Sequence, residues 1–153
     1  MSLLANKILK IWEKVIIVSV RRRRSRRRIS SAAKSTRAKY FQHKGVARVL
    51  VQRKLEQFNT VYNFKIGRVS IRNQRSRWGS CSRLGNLNFS YKIVLLPEEL
   101  ADYLIVHELC HLGEFNHSPR FWALVARTIP DYKARRRALK GFGRQELIDN
   151  IPA

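Results

Sequence analysis

The segment Pro97-Glu98-Glu99-Leu100-Ala101-Asp102-Tyr103-Leu104-Ile105-Val106-His107-Glu108-Leu109-Cys110-His111-Leu112-Gly113 sets the frame for the whole chain. Pro97 opens a helix at a position where its missing N–H costs nothing. Glu98 and Glu99 occupy the first turn, where the helix dipole favours carboxylates. The helix is expected to run to about Leu112, with Gly113 as its C-terminal stop. It is apolar nearly all round. After the first turn only Asp102, His107, Glu108 and His111 interrupt it, and burying the last three without partners would be strongly unfavourable. His107 and His111, at i and i+4, share one face and can bind one metal ion. Glu108 between them can reach a metal-bound water as general base. A shuffled chain of this composition contains such a pattern roughly once in two hundred times, so the motif does not stand alone. His117 adds to it. A chain leaving the helix at Gly113 can turn back and present a third imidazole, and three protein ligands plus water make a catalytic zinc arrangement. The expectation is one Zn²⁺ per chain on His107, His111 and His117.

Working outward, the spacing His107-His111-His117 equals that of the metzincins. Glu114 stands where they have glycine, however, and the one methionine is Met1, so a Met-turn is missing and that group is excluded. Upstream, Val69 and Ile71 alternate with Ser70 and Arg72 as in a half-buried strand. Arg77-Trp78-Gly79-Ser80-Cys81 follows, then turn chemistry in Arg83-Leu84-Gly85-Asn86. Leu87, Phe89, Tyr91, Ile93 and Leu95 predict a second strand, hairpinned to the one before it. Arg77, Trp78, Gly79, Ser80 and Cys81 form a motif with a structural or a substrate-contacting role: Trp78 and Gly79 read chiefly as shapers of a tight backbone, with direct substrate contact as the alternative, and Cys81 as a structural thiol within reach of the metal. Cys110, Phe121 and Trp122 read as core, and Glu114 or Asp102 as candidate partners of a ligand imidazole. Downstream, Ser118 and Pro119 start a helix as N-cap and N1. Pro130 ends it, and Asp131 caps a basic helix expected to stop before Gly141. Lys133–Arg137 reads as a solvated face of that helix.

Upstream of the strands, Val46, Leu50, Leu55, Phe58 and Tyr62 predict a helix from Lys44 to about Tyr62 with one broad apolar face. Residues 29–39 read as linker. Arg21, Arg22, Arg23, Arg24, Arg26, Arg27 and Arg28 form a self-repelling block expected to be a solvated arm. Before it, Leu4, Ile8, Ile11, Val15 and Val18 predict an amphipathic helix over residues 2–20. The apolar stretch Val15–Val20 is short for a signal-peptide core, and no run is long enough to span a membrane.

Composition agrees with this division. The chain has 153 residues and 44% hydrophobic content, which excludes wholesale disorder. Two cysteines exclude a disulfide framework and suit a reducing cytoplasm. The net charge is +22, of which +15 falls in residues 1–60. No acidic residue occurs between Glu56 and Glu98, so the strands carry a purely basic surface. Such an excess points to a polyanionic partner, nucleic acid through the arm or peripheral contact with an acidic membrane.

Taken together, Arg77-Trp78-Gly79-Ser80-Cys81-Ser82, Gly85-Asn86-Leu87-Asn88-Phe89, His107-Glu108-Leu109-Cys110-His111, His117-Ser118 and Phe121-Trp122 closely resemble the YgjP-like metallopeptidases. That family belongs to the zincin superfamily and is similar to the SprT and WLM proteases. The resemblance covers roughly residues 40–140. It implies an α+β, zincin-like fold: a small antiparallel sheet packed on an active-site helix that carries HExxH, with flanking helices. It implies ligand roles for His107, His111 and His117 and the general-base role for Glu108. The expected organisation is a basic N-terminal helix and arginine-rich arm over 1–39, a metallopeptidase domain over 40–145 and a C-terminal tail over 146–153. The expected function is zinc-dependent hydrolysis of a peptide or protein in the cytoplasm. The rivals are a metal-dependent nucleotide or phosphoester hydrolase, and a nucleic-acid-binding module with structural zinc. Tyr91, Tyr132, Arg120 and the metal are the candidates for stabilising an oxyanion.

Overall fold

Residues 31–62 carry alanine, lysine, arginine, glutamine and leucine with no proline, a composition that favours helix, and they form one continuous helix, α1 (Ser31–Tyr62). The computed structural model describes residues 31–74 and 76–149, with side chains from 34 to 142 apart from residue 75. The helix over 2–20, the arginine run Arg21–Arg28 and residues 150–153 lie outside the described residues. Residues 31–39, expected as linker, are therefore the opening turns of α1. Its buried face is Ala47, Val51, Lys54 and Leu55, with Phe58 and Tyr62 half-buried. Val46, expected on that face, is 63% exposed, so the face is turned by about one residue and the small Ala47 takes the contact. Asn63 ends the helix in the left-handed region, at φ 52°. Asn59 secures the exit: its Oδ1 accepts from Phe64 N and its Nδ2 donates to Phe64 O, both at 2.9 Å.

Three strands follow: β1 (Val69–Arg72), β2 (Gly79–Cys81) and β3 (Leu87–Ser90). Their order in the sheet is β1-β3-β2. The hairpin joins β2 to β3, antiparallel with Ser80 opposite Asn88. β1 pairs with β3 in parallel, Ile71 opposite Phe89. The sheet is thus mixed, not wholly antiparallel, and β1 is not the hairpin partner. The turn between β2 and β3 is the expected one. Gly85 sits at φ 73°, and its carbonyl accepts from Gly67 N at 2.9 Å. After Ser90 the expected strand gives way to a 3₁₀ turn (Tyr91–Leu95), with Ser90 Oγ accepting from Lys92 N. Tyr91 and Ile93 remain buried while Leu95 is exposed.

Helix α2 (Glu98–Cys110) buries nine of its residues, including Glu108. Leu100 N and Ala101 N both donate to Pro97 O at 3.0 Å. Helix α3 (Pro119–Thr128) is capped by Ser118 Oγ, which accepts from Phe121 N. Helix α4 (Tyr132–Asp149) passes through Gly141 and takes up 146–149, residues expected as tail. A Cβ at Gly141 would meet nothing within 4 Å, so this glycine costs only its propensity, roughly 1 kcal/mol. Among the described residues, four helices and the mixed sheet make an α+β fold in which β2, α3 and α4 all pack on α2.

Among the described residues Lys54 is the one lysine drawn into the core, 5% exposed. Its Nζ lies 2.6 Å from Glu98 Oε1 and 2.8 Å from Asp102 Oδ1. The second contact is an ion pair short of an aligned hydrogen bond. This pairing explains Asp102 on an otherwise apolar helix and removes it from the candidates for an imidazole partner. Lys54→Met should destabilise the fold by about 2–4 kcal/mol, because it strands a largely buried carboxylate. Urea denaturation of both proteins measures it.

Candidate metal centre

The last turn of α2 and the loop after it bring three imidazoles to one point. The ligand atoms of His107, His111 and His117 all lie within 4.8 Å of one another. His107 and His111 arrive by the i, i+4 spacing. His117 arrives because the chain folds back at the helix end: Gly113 N and Glu114 N both donate to Cys110 O, at 3.1 and 3.0 Å. Gly113 is required there by a close approach, since a Cβ would stand 2.8 Å from Phe64 Cζ.

The nitrogens of one ring are already sorted. His111 Nδ1 lies 3.0 Å from Glu114 O, so Nδ1 carries the proton and Nε2 keeps its lone pair. His107 Nδ1 faces Tyr103 Oη at 3.4 Å. His107 Nε2 and His117 Nε2 face each other at 3.1 Å. Two lone pairs that close repel unless a proton or a cation lies between them. In a tetrahedral zinc site with bonds of about 2.0–2.1 Å, two nitrogens stand roughly 3.3 Å apart, so the donor set fits Zn²⁺ in identity and the His107–His117 pair fits it in spacing. It is Glu114's carbonyl, not its carboxylate, that orients His111.

Aromatic rings wall the cluster. Phe121, fully buried, stacks on His111 at 4.5 Å and meets His107 and His117 edge-on at 4.9 and 4.8 Å. Trp122 stacks on His117 at 5.5 Å. Phe121 and Trp122 are core, as expected, and they also hold the three rings. Burial and the neighbouring charges of His111, His117 and Arg136 push His107 down to about 3. Burial also lowers His111, against the Glu114 carbonyl, and lowers His117. The imidazoles are therefore neutral at pH 7, the form that ligates a metal.

Glu108 is 5% exposed. Burial pushes its carboxyl up to about 8, partly offset by the charge of Arg77. It lies against the edge strand β2: a Cβ on Gly79 would stand 2.6 Å from Glu108 Oε1 and 2.7 Å from its Cγ. The glycine is what lets the strand pass over the carboxylate. Gly79→Ala should displace Glu108 while leaving the imidazoles alone. We expect full zinc content with kcat reduced roughly 10- to 100-fold, the scale of an ångström-sized misplacement. Paired metal analysis and kinetics separate the two effects.

The remaining motif residues are placed as follows. Arg77 is exposed. Trp78 packs edge-on against Phe142 of α4 at 6.2 Å, a packing role. Ser80 Oγ accepts from Asn88 Nδ2 at 3.4 Å. The Cys81 thiol donates to Ser82 O at 3.4 Å and is pushed up to about 11 by burial and the charge of Glu108. Among the described residues it does not join the imidazole cluster. Cys110 is fully buried, its thiol raised to about 11 by burial. Tyr91 is 2% exposed, between Tyr40 and His43, which takes it out of reach of a substrate. Tyr103 is the neighbour that the sequence argument passed over. It stands four residues before His107, so its spacing was a usable signal. The contacts of Phe121, Gly79 and Arg136 are tertiary and left no local trace.

No curated protein matches this chain. Among solved structures, the abylysin metallopeptidase zymogen of Pyrococcus abyssi superposes with TM-score 0.54 and 25% identity, over 58% of this chain and 90% of that chain. The jannalysin metallopeptidase zymogen of Methanocaldococcus jannaschii superposes with TM-score 0.52 and 20% identity, over 62% and 96%. The second likeness speaks to the fold alone, which is zincin-like. The YgjP-like metallopeptidase domain matches residues 9–142, most of the chain and all of the elements that build the imidazole cluster. The chain belongs to the YgjP-like metallopeptidase family.

Proposed function

We propose that the chain is a zinc-dependent peptidase with His107, His111 and His117 as ligands, one zinc per chain, and Glu108 as general base. One observation carries this: a buried carboxylate, one residue along α2 from His107 of a converging cluster of three neutral imidazoles, is pressed against a glycine of the edge strand and, among the described residues, forms no ion pair. Zinc, when held there, supplies Lewis-acid polarisation of a peptide carbonyl and acidifies a water. The raised affinity of Glu108 for a proton suits it to take one from the attacking water, hold it on its carboxylate and pass it to the leaving amine. Strand β2, at the sheet edge above Glu108, offers backbone groups to an extended peptide. A structural zinc site is closed by a fourth protein ligand. The described residues bring three candidate ligands together, which favours catalysis over the staple.

The proposal extends to a cytoplasmic location, which two free thiols suit, and, on charge alone, to polyanion binding by Arg21–Arg28. Among the described residues no helix is long and apolar enough to cross a membrane. The test of the main proposal is chelation followed by zinc addition, with an unfolded protein and nucleoside triphosphates assayed side by side. Zinc should restore cleavage of the protein. Hydrolysis of the nucleotides alone would move the chain to phosphoester chemistry.

A further inference from the structure

Lys133, Arg136, Arg137 and Lys140 stand at i, i+3, i+4 and i+7 on α4 and line one hollow. All four are exposed. Their spacing sets like charges at helical neighbour positions, which opposes the helix. Asp131 does not relieve them. Its carboxylate takes Arg135 Nε at 2.9 Å, and Arg135 Nη1 donates to Glu99 O at 3.1 Å. Among the described residues no carboxylate pairs with any of the four. On sequence alone this is a solvated basic face, but the structure gives it a location. The Arg136 guanidinium lies 4.8 Å from the Trp122 ring. Trp122 in turn stacks on Tyr132 at 5.0 Å and on His117 at 5.5 Å. The charge of Arg136 is felt at His107, His117 and Tyr103. One side chain therefore belongs both to the hollow and to the wall of the metal centre.

We infer that this face of α4 is a substrate subsite for acidic side chains, so that peptides with a run of Asp or Glu on one side of the scissile bond are preferred. The inference rests on the peptidase reading above. Lys133 to Lys140 spans about 10 Å along the helix axis, the length of roughly three residues of extended peptide. Two or three neighbouring carboxylates match that length. Arg136, held over the Trp122 ring, is pre-organised to meet a carboxylate with its N–H fork. Because Arg136 stands next to the centre through Trp122, one ligand can bring an anion to the hollow and the reacting bond to the imidazoles. A single acidic peptide does both, whereas a nucleic acid offers no peptide bond to the centre.

The test uses zinc-loaded, full-length protein and pairs of fluorogenic peptides that differ only in three Glu against three Gln, placed before or after the scissile bond. In one placement kcat/KM should favour the acidic peptide about tenfold at low salt, through KM, with the ratio falling as salt screens the pairing. Arg137→Gln/Lys140→Gln should cut that ratio roughly fivefold, and Arg137→Glu/Lys140→Glu should invert it. Circular dichroism and zinc content show that each variant is folded. No preference in the wild type, or a ratio that neither variant moves, overturns the subsite. If the wild type cleaves none of the peptides, the peptidase reading fails by itself, and anisotropy of the same labelled peptides decides the subsite. Tighter binding of the acidic peptide that is lost on charge reversal sustains it; equal binding overturns it. An oligonucleotide whose binding responds to the variants while the peptide ratio does not would assign the face to nucleic acid and overturn it too.

Discussion

Glu108→Gln should leave the fold and the zinc in place and reduce kcat by about 10²- to 10⁴-fold, the range of a general-base contribution. The amide is nearly isosteric with the acid, so the packing against Gly79 survives. It cannot accept the water proton. A second readout separates the base role from a structural one. Burial raises the folded-state pKa of Glu108 from the ordinary 4.5 to about 8, so the folded, metal-free protein favours the protonated acid. That contribution to stability is complete below the unfolded value near 4.5 and is lost as pH rises towards about 8. In the presence of chelator, the wild type should lose stability across that window and Glu108→Gln should lose less, which thermal melts at a series of pH values would show. A catalytic carboxylate kept at a cost to stability is the pattern of an active site. Wild-type kcat in Glu108→Gln would remove it from the mechanism.

His117→Ala should lower zinc affinity by more than about a hundredfold, beyond the range for loss of a partner that merely orients a ligand. The residue lies on the exposed loop after α2, so its loss leaves the core intact. Turnover at limiting zinc should fall in parallel and recover in part with excess metal. Tyr103→Phe, which removes only the hydroxyl facing His107 Nδ1, should cost roughly tenfold or less. Competition titration against a chromophoric chelator ranks the two. Equal affinities for wild type and His117→Ala would leave His107 and His111 with some other third ligand.

The elements legible in the sequence were those set by local chemistry. Ser118 and Pro119 start α3 by capping and by a missing N–H, and Gly85 turns the hairpin by its positive φ. The convergence of His107, His111 and His117 followed from helical spacing and a glycine-marked exit. The misses lie where composition or period is degenerate. Alanine and lysine over 31–39 suit a linker or a solvated helix equally, and only continuity with the packed half of α1 decides. The α1 face was misplaced by one residue because Val46 is the larger apolar neighbour of Ala47, and period alone does not choose between them. The parallel pairing of β1 with β3 depends on where β2 inserts, a tertiary choice with no local signal. Gly113, expected as the stop of α2, does lie in the turn that ends it, but among the described glycines the positive φ belongs to Gly85. Gly113 is instead needed for its approach to Phe64. Gly79 under Glu108 is the same kind of contact, visible only once strand and helix are packed.

The most direct test of the metal centre is X-ray absorption at the zinc edge on gently purified, full-length protein, with metal content measured on the same sample. The expected result is about one zinc per chain, bound by three imidazole nitrogens and one oxygen at roughly 2.0–2.1 Å. A sulfur neighbour at about 2.3 Å would place Cys81 in a closed, structural site. That result, or the absence of stoichiometric zinc before and after titration, would contradict a catalytic zinc on His107, His111 and His117.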